Sequence, residues 1–87
     1  TFREGFEEYI LDCKARNLRD GTINHYQESI KQIYKRITPD TLISSMCQQT
    51  MANFYISLRD DPNLNEVSMG TYARDLKTLM RFFIQAM

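Results

Sequence analysis

The 87-residue sequence has no tryptophan, one histidine, two cysteines, two prolines and three glycines, and its net formal charge is zero. Each scarcity excludes something. The glycines Gly5, Gly21 and Gly70 are isolated, so no glycine-rich loop can cradle a phosphate. Glycine and proline are too rare, and alternating apolar residues too few, for a turn-rich β-fold. Cys13 and Cys47 are too few for a disulfide scaffold and lack metal-ligand spacing. Both stand beside apolar residues, which predicts two buried thiols in a reducing compartment. No apolar run approaches the ~20 residues of a membrane span. Thr1–Glu8 is charged and lacks the apolar stretch of a secretory signal. With one histidine, a catalytic triad would need a nucleophile and an orienting acid converging on His25, and its neighbours Asn24 and Tyr26 do not point to one.

What is present is a helix-forming, amphipathic chain. Hydrophobic residues make up 43%, enough for one modest core and one domain spanning 1–87. There is no initiator methionine, and the chain stops on Phe82-Phe83-Ile84-Gln85-Ala86-Met87, inside an apolar pattern. It therefore reads as a piece of a longer protein. The zero net charge hides an alternation. Thr1–Cys13 is acidic, with Glu4, Glu7, Glu8 and Asp12 against Arg3. Lys14–Arg36 is basic, Ile37–Glu66 is acidic again, and the last stretch carries Arg74, Lys77 and Arg81 against Asp75. Such asymmetry says more about partners than the total does.

Spacings of three and four predict four helices. The first spans about Phe2 to Arg16, opened by a Thr1/Glu4 capping box, with Phe2, Phe6, Tyr9, Ile10 and Cys13 on one face. The second spans about Asp20 to Arg36, with Asp20 as N-cap and Ile23, Tyr26, Ile30, Ile33, Tyr34 and Ile37 as its stripe. Pro39 ends it. Thr41–Met46 is a connector with room for one short turn. The third covers Gln48 to Arg59, with Met51, Phe54, Tyr55 and Leu58 inward, and Asp60–Asn63 is a loop. The fourth starts after Ser68 as N-cap and runs to the end, burying Met69, Tyr72, Leu76, Leu79, Met80 and Phe83. The expectation is an all-α, orthogonal or antiparallel four-helix bundle.

Catalytic chemistry is not evident. Glu7-Glu8 and Asp60-Asp61 are adjacent pairs that diverge on a helix or sit at a helix end, and read as solvated faces. His25 has no partner at metal spacing and lies toward the polar side of its helix, so it is expected to face solvent or a phosphate. The five tyrosines fall on apolar stripes and are expected in the core. The positive features are the helix starts. Gly21-Thr22-Ile23 and Gly70-Thr71-Tyr72 form a weak internal echo 49 residues apart. Each threonine is expected in a first turn, where free backbone N–H groups and the dipole favour an anion. Arg19, Asn24 and His25 flank the first start. Arg74, Lys77 and Arg81 follow the second as one stripe, which Gly70 and Gln85 extend.

On these residues the chain resembles the N-terminal, SAM-like core-binding domain of tyrosine recombinases, the phage-integrase family. The pattern runs through Phe6, Tyr9-Ile10, Cys13, Arg16-Asn17-Leu18, Thr22-Ile23, Tyr26 and Ile30. It continues through Phe54, Leu58, Val67-Ser68, Thr71-Tyr72, Leu76, Leu79, Phe82-Phe83 and Ala86. The Asn-Leu-x-x-x-Thr-Ile-x-x-Tyr stretch and the terminal Phe-Phe-x-x-Ala are its more specific parts. Arg19 stands where the family has Ser or Thr, and Met46-Cys47 stands where the third helix usually opens with Thr or Ser.

The resemblance implies one jaw of a clamp around double-stranded DNA at a recombination site, serving DNA integration and recombination in a mobile genetic element. DNA contacts would come from Arg19, Thr22, Asn24 and His25 on the second helix and from Thr71, Arg74, Lys77 and Arg81 on the fourth. Partners would be DNA, a C-terminal catalytic domain in the parent protein and other recombinase protomers, in a bacterial or phage-encoded cytoplasmic setting, with no cofactor and no membrane. The parent would exchange strands through a covalent phosphotyrosine. This chain has no His-x-x-Arg motif and would cleave nothing by itself. The competing expectation is a helical protein-interaction module without DNA affinity, with the Phe82-Phe83 end as its groove.

Overall fold

The computed structural model describes residues 1–86 and contains α1 (Phe2–Ala15), α2 (Asp20–Tyr34), a short 3₁₀ turn (Ile43–Ser45), α3 (Gln48–Arg59) and α4 (Glu66–Ala86). Met87, to which the sequence pattern carried the last helix, lies outside the described residues. Among the described residues there is no strand, and no helix is long and apolar enough to cross a membrane. The all-α, four-helix expectation is met. α4 packs against each of the other three helices, and α1 also packs against α2.

The core is the predicted stripes brought together. Phe2, Cys13, Ile33, Phe54, Leu58, Leu76 and Leu79 are essentially removed from water. Aromatic edges join three helices: Phe2 meets Tyr34 of α2 at 5.3 Å and Phe83 of α4 at 5.9 Å. Tyr9 meets Tyr26 at 5.1 Å and Phe82 at 5.2 Å. Such edge-to-face contacts add to area burial by about 1 kcal/mol each. Burial, and then the neighbouring Tyr26 hydroxyl, push the Tyr9 hydroxyl well above its ordinary range, so it stays neutral.

The helix ends explain the chain's turns. Thr1 and Glu4 form the predicted capping box. Two further N–H groups of the first turn are taken by the loop after α2: Phe2 donates to the Thr41 carbonyl at 2.7 Å and Arg3 to that of Pro39 at 3.0 Å. α1 stops in a left-handed Asn17, φ 56°. Leu18 N–H donates back to Cys13 and Asn17 N–H to Lys14, closing the last turn with Leu18 packed on the core. The Arg16-Asn17-Leu18 triplet is thus the corner between α1 and α2.

Several sequence expectations are corrected. The N-cap of α2 is Arg19, with no side-chain hydrogen bond, and Asp20 is the first helical residue. There its carboxylate still meets the positive helix end. α4 begins at Glu66, well before the predicted start after Ser68, because the Asn65 side chain accepts the Ser68 N–H at 2.8 Å. Asparagine caps a helix as well as serine does, and Asn65 comes first in the chain. Tyr55, expected inward, is half exposed, and Tyr26, Tyr34 and Tyr72 lie at the core margin. Cys13 is buried as expected, whereas Cys47 is exposed at the start of α3. Its backbone N–H donates to the Thr50 hydroxyl at 3.0 Å, so the Met46-Cys47 start is capped by Thr50 from inside the helix. The Thr50 N–H and hydroxyl, with the Gln49 N–H, hold the Cys47 thiol below the ordinary thiol range.

At Gly5 the backbone of α1 comes close against Ile43 and Phe83. A Cβ there would stand 2.6 Å from Ile43 Cδ1 and 2.7 Å from the Phe83 ring. Gly5→Ala is expected to lower stability by about 1 kcal/mol in chemical denaturation, although alanine is the better helix former, because overpacking outweighs propensity. Cys47 is expected to react with a thiol reagent in the native protein at a rate that climbs from a lower pH than for an ordinary thiol. Cys13 should react only on unfolding. Equal native rates would contradict the placement of both.

Candidate nucleic-acid interface

The basic stripe predicted on α4 is an exposed ridge. Gly70, Arg74, Lys77, Arg81 and Gln85 are all solvent-facing, on the side of the helix opposite the buried Leu76, Leu79 and Phe83. Among the described residues no carboxylate lies within 4 Å of Arg74, Lys77 or Arg81, or of Arg19 at the start of α2. Lys14, Lys35 and Arg59 are likewise exposed with no carboxylate within 4 Å among the described residues, while several other cations are engaged. Arg16 binds Asp12 at 2.8 Å, Lys31 binds Glu28 at 3.1 Å, and Arg36 binds Asp61 at 2.6 Å, which fastens the end of α2 to the loop before α4. What distinguishes the ridge is that three such cations stand in one row on one helix, with no carboxylate within 4 Å to neutralise them among the described residues.

Beside the ridge, α2 and α4 form a shallow groove lined by Gly21, Thr22, His25, Tyr26, Arg74, Asp75 and Thr78. It brings together three of the predicted contact residues, Thr22, His25 and Arg74. A second groove, toward α3, places Arg74 and Lys77 beside Met51, Tyr55, Gly70 and Ala73. A third, toward α1, places Arg81, Thr78 and Gln85 beside Tyr9, Asp12, Arg16 and Phe82. Arg19 and Asn24 are exposed but line none of these grooves. At about 100° per residue Asn24 lies some 200° around α2 from Thr22 and faces away from α4.

The helix-start reasoning survives at one threonine only. Thr22 lies in the first turn of α2, although its own N–H is already bonded to the Arg19 carbonyl at 3.0 Å. Thr71 is not in a first turn. The Asn65 cap moves it into the second turn of α4, half-buried, where its hydroxyl donates to the Val67 carbonyl at 3.0 Å. The Gly-Thr echo is therefore not a repeated helix start, and Thr71 has no free helix-end N–H to offer an anion.

The main feature missed from the sequence is an inter-helix polar clasp. Asp75 of α4 is 2% exposed, and its Oδ2 accepts the Ser29 hydroxyl at 2.6 Å and pairs with His25 Nε2 at 2.8 Å. Ser29 is also buried. This is not a nucleophile array: serine and histidine converge on the same carboxylate oxygen rather than forming a relay. Its work is to join α2 to α4 and to fix the His25 ring. A signal existed in the sequence. Ser29 stands three after Tyr26 and four before Ile33, and Asp75 stands three after Tyr72 and four before Leu79. Two polar residues in register with two apolar stripes are candidates for each other. Among the described residues, no buried side-chain polar atom lacks a partner and no three metal-ligating side chains cluster.

No family model, curated protein or solved structure matches the chain. Its functional reading rests on its own residues.

The clasp makes a direct prediction. Asp75→Ala should cost roughly 2–4 kcal/mol, since it strands the buried Ser29 hydroxyl and the His25 ring. Ser29→Ala added to that variant should cost almost nothing more, although alone it costs about 1 kcal/mol. Thermal or urea unfolding of the four proteins closes the cycle, and additive losses would contradict a shared hydrogen bond.

Proposed function

We propose that this domain grips double-stranded DNA through the α4 ridge and the adjoining start of α2, in the manner of a core-binding domain of a tyrosine recombinase. The observation that carries the reading is the row Arg74, Lys77 and Arg81, exposed and without carboxylate partners among the described residues. A row of cations along one helix suits the phosphate backbone, whose neutralisation releases counterions and dominates affinity. Thr22 and His25 would extend the contact across the groove, and Arg19, exposed at the start of α2 outside it, would add a further cation. Asn24 and Thr71 contribute less: the first faces away and the second has its hydroxyl committed to Val67. The acidic outer face of α1, with Glu4, Glu7 and Glu8 exposed, would stay off the duplex. The chain itself would bind and position. Cleavage would belong to a separate catalytic domain of a parent recombinase.

A second reading, protein docking, draws on one observation. Phe83 is buried in the core, so the Phe82-Phe83 end is not itself an open groove. Its edge does line a small apolar cleft with Ile43, Met46, Met80 and Ile84, and Ile84 is 71% exposed. Binding there would depend little on salt, whereas binding on the ridge would depend on it steeply.

Fluorescence anisotropy with a short labelled duplex separates the two. Micromolar-range binding, roughly 10⁻⁴ to 10⁻⁶ M, should weaken linearly in log–log terms with salt. Arg74→Ala with Lys77→Ala should reduce affinity at least about tenfold and flatten the salt slope by about two phosphates, with an unchanged melting temperature. Unchanged binding in that variant would remove the ridge as the DNA face.

A further inference from the structure

The clasp that joins α2 to α4 also borders the groove, and it holds a titratable ring half in water. We propose that His25 is a proton-linked phosphate contact: on binding duplex DNA its imidazole takes up a proton, remains held by Asp75 through Nε2, and offers Nδ1–H to a phosphate oxygen. The proposal rests on the DNA-gripping reading above and adds to it a coupling between binding and pH.

The geometry supplies the parts. The His25 side chain is 43% exposed while that of Asp75 is 4% exposed, so water and ligand reach the ring but not the acid. Nε2 is committed to Asp75 Oδ2 at 2.8 Å, which leaves Nδ1 as the ring nitrogen available to a partner. Among the described residues no lysine or arginine lies within 4 Å of Asp75, so His25 is the only group placed to become its counter-ion. The edge of Tyr26, 5.6 Å between centroids, braces the ring from its own helix.

The charges around the ring set the sign. From α4 it faces Asp75 and, across the groove, Arg74; no side chain of α1 or α3 lines that groove. On α2 itself, Glu28 lies three residues on and is bound to Lys31 at 3.1 Å, while Arg19 and Asp20 stand at the helix start. With a neutral imidazole the groove lining carries one cation, Arg74, and one anion, Asp75, which offset each other. With the imidazolium it carries two cations against one anion, and it becomes a seat for an anion. Phosphate and proton therefore favour each other, and by linkage each strengthens the binding of the other to the same degree.

The test is duplex affinity of the full chain at fixed salt from about pH 8 to about pH 5.5, the range in which histidine charge changes. It is paired with calorimetry in buffers of different ionisation enthalpy, which counts protons taken up on binding. Affinity should rise about fivefold toward the acid end, the worth of one solvent-exposed charge-assisted hydrogen bond, with a net uptake that peaks at about 0.4 proton. His25→Gln should still bind DNA with a steep salt dependence, but with a flat pH profile and no uptake. If the native chain binds in a salt-dependent way yet shows no pH dependence, or if His25→Gln keeps the native profile, the proton linkage is wrong and the DNA reading stands. If no duplex binding appears at low salt at any pH, both fall together.

Discussion

The packing of α4 against all three other helices is the constraint on which the rest of the domain depends. α3 packs chiefly on α4 and adds its buried Phe54 and Leu58 to the common core, with Phe54 also beside Ile37 after α2. α1 and α2 touch each other, but their aromatic seam closes only when Phe82 and Phe83 enter it. A chain this short has little surplus burial, and a single helix that packs on all three others makes the small core cooperative.

The same helix divides its labour by face. Its inner side is apolar except at Asp75, and that exception is satisfied by Ser29 and His25. A buried, satisfied acid contributes orientation as well as energy: it ties α2 to α4 at the wall of the groove between them. The outer side carries Arg74, Lys77 and Arg81 without intramolecular partners among the described residues. Stability and the proposed binding surface are thus written on opposite sides of one rod. The ridge can be altered with little effect on the core, while the clasp touches both.

Much of this was legible in one dimension. Helix number, the limits of α3, the Thr1 cap and the buried stripes follow from periodicity and end chemistry, which act within a few residues. The errors have local causes too. Asn65 and Ser68 are both competent caps, and the helix takes the first. That choice moved Thr71 into a second turn and removed half of the helix-start argument for an anion site. Cys47, apolar by type, lies exposed because it sits at a helix start whose capping hydroxyl comes from Thr50. Tyr55 follows the helical stripe of α3 but stays half exposed, because it lines the open groove between α3 and α4 beside Gly70 and Arg74.

The sequence by itself determined the fold class, the four helices and the row of cations on the last of them, because each depends on spacing along a single helix. Only the tertiary structure decided what each face meets. It brought Ser29 and Asp75, far apart in the chain, to 2.6 Å, and turned His25 from a lone polar residue into the exposed arm of a buried clasp. It set Thr22 and Arg74 across one groove and left Asn24 facing away from it. The physical reason is that periodicity fixes direction around a helix axis, whereas distance between helices is fixed by which side chains interdigitate.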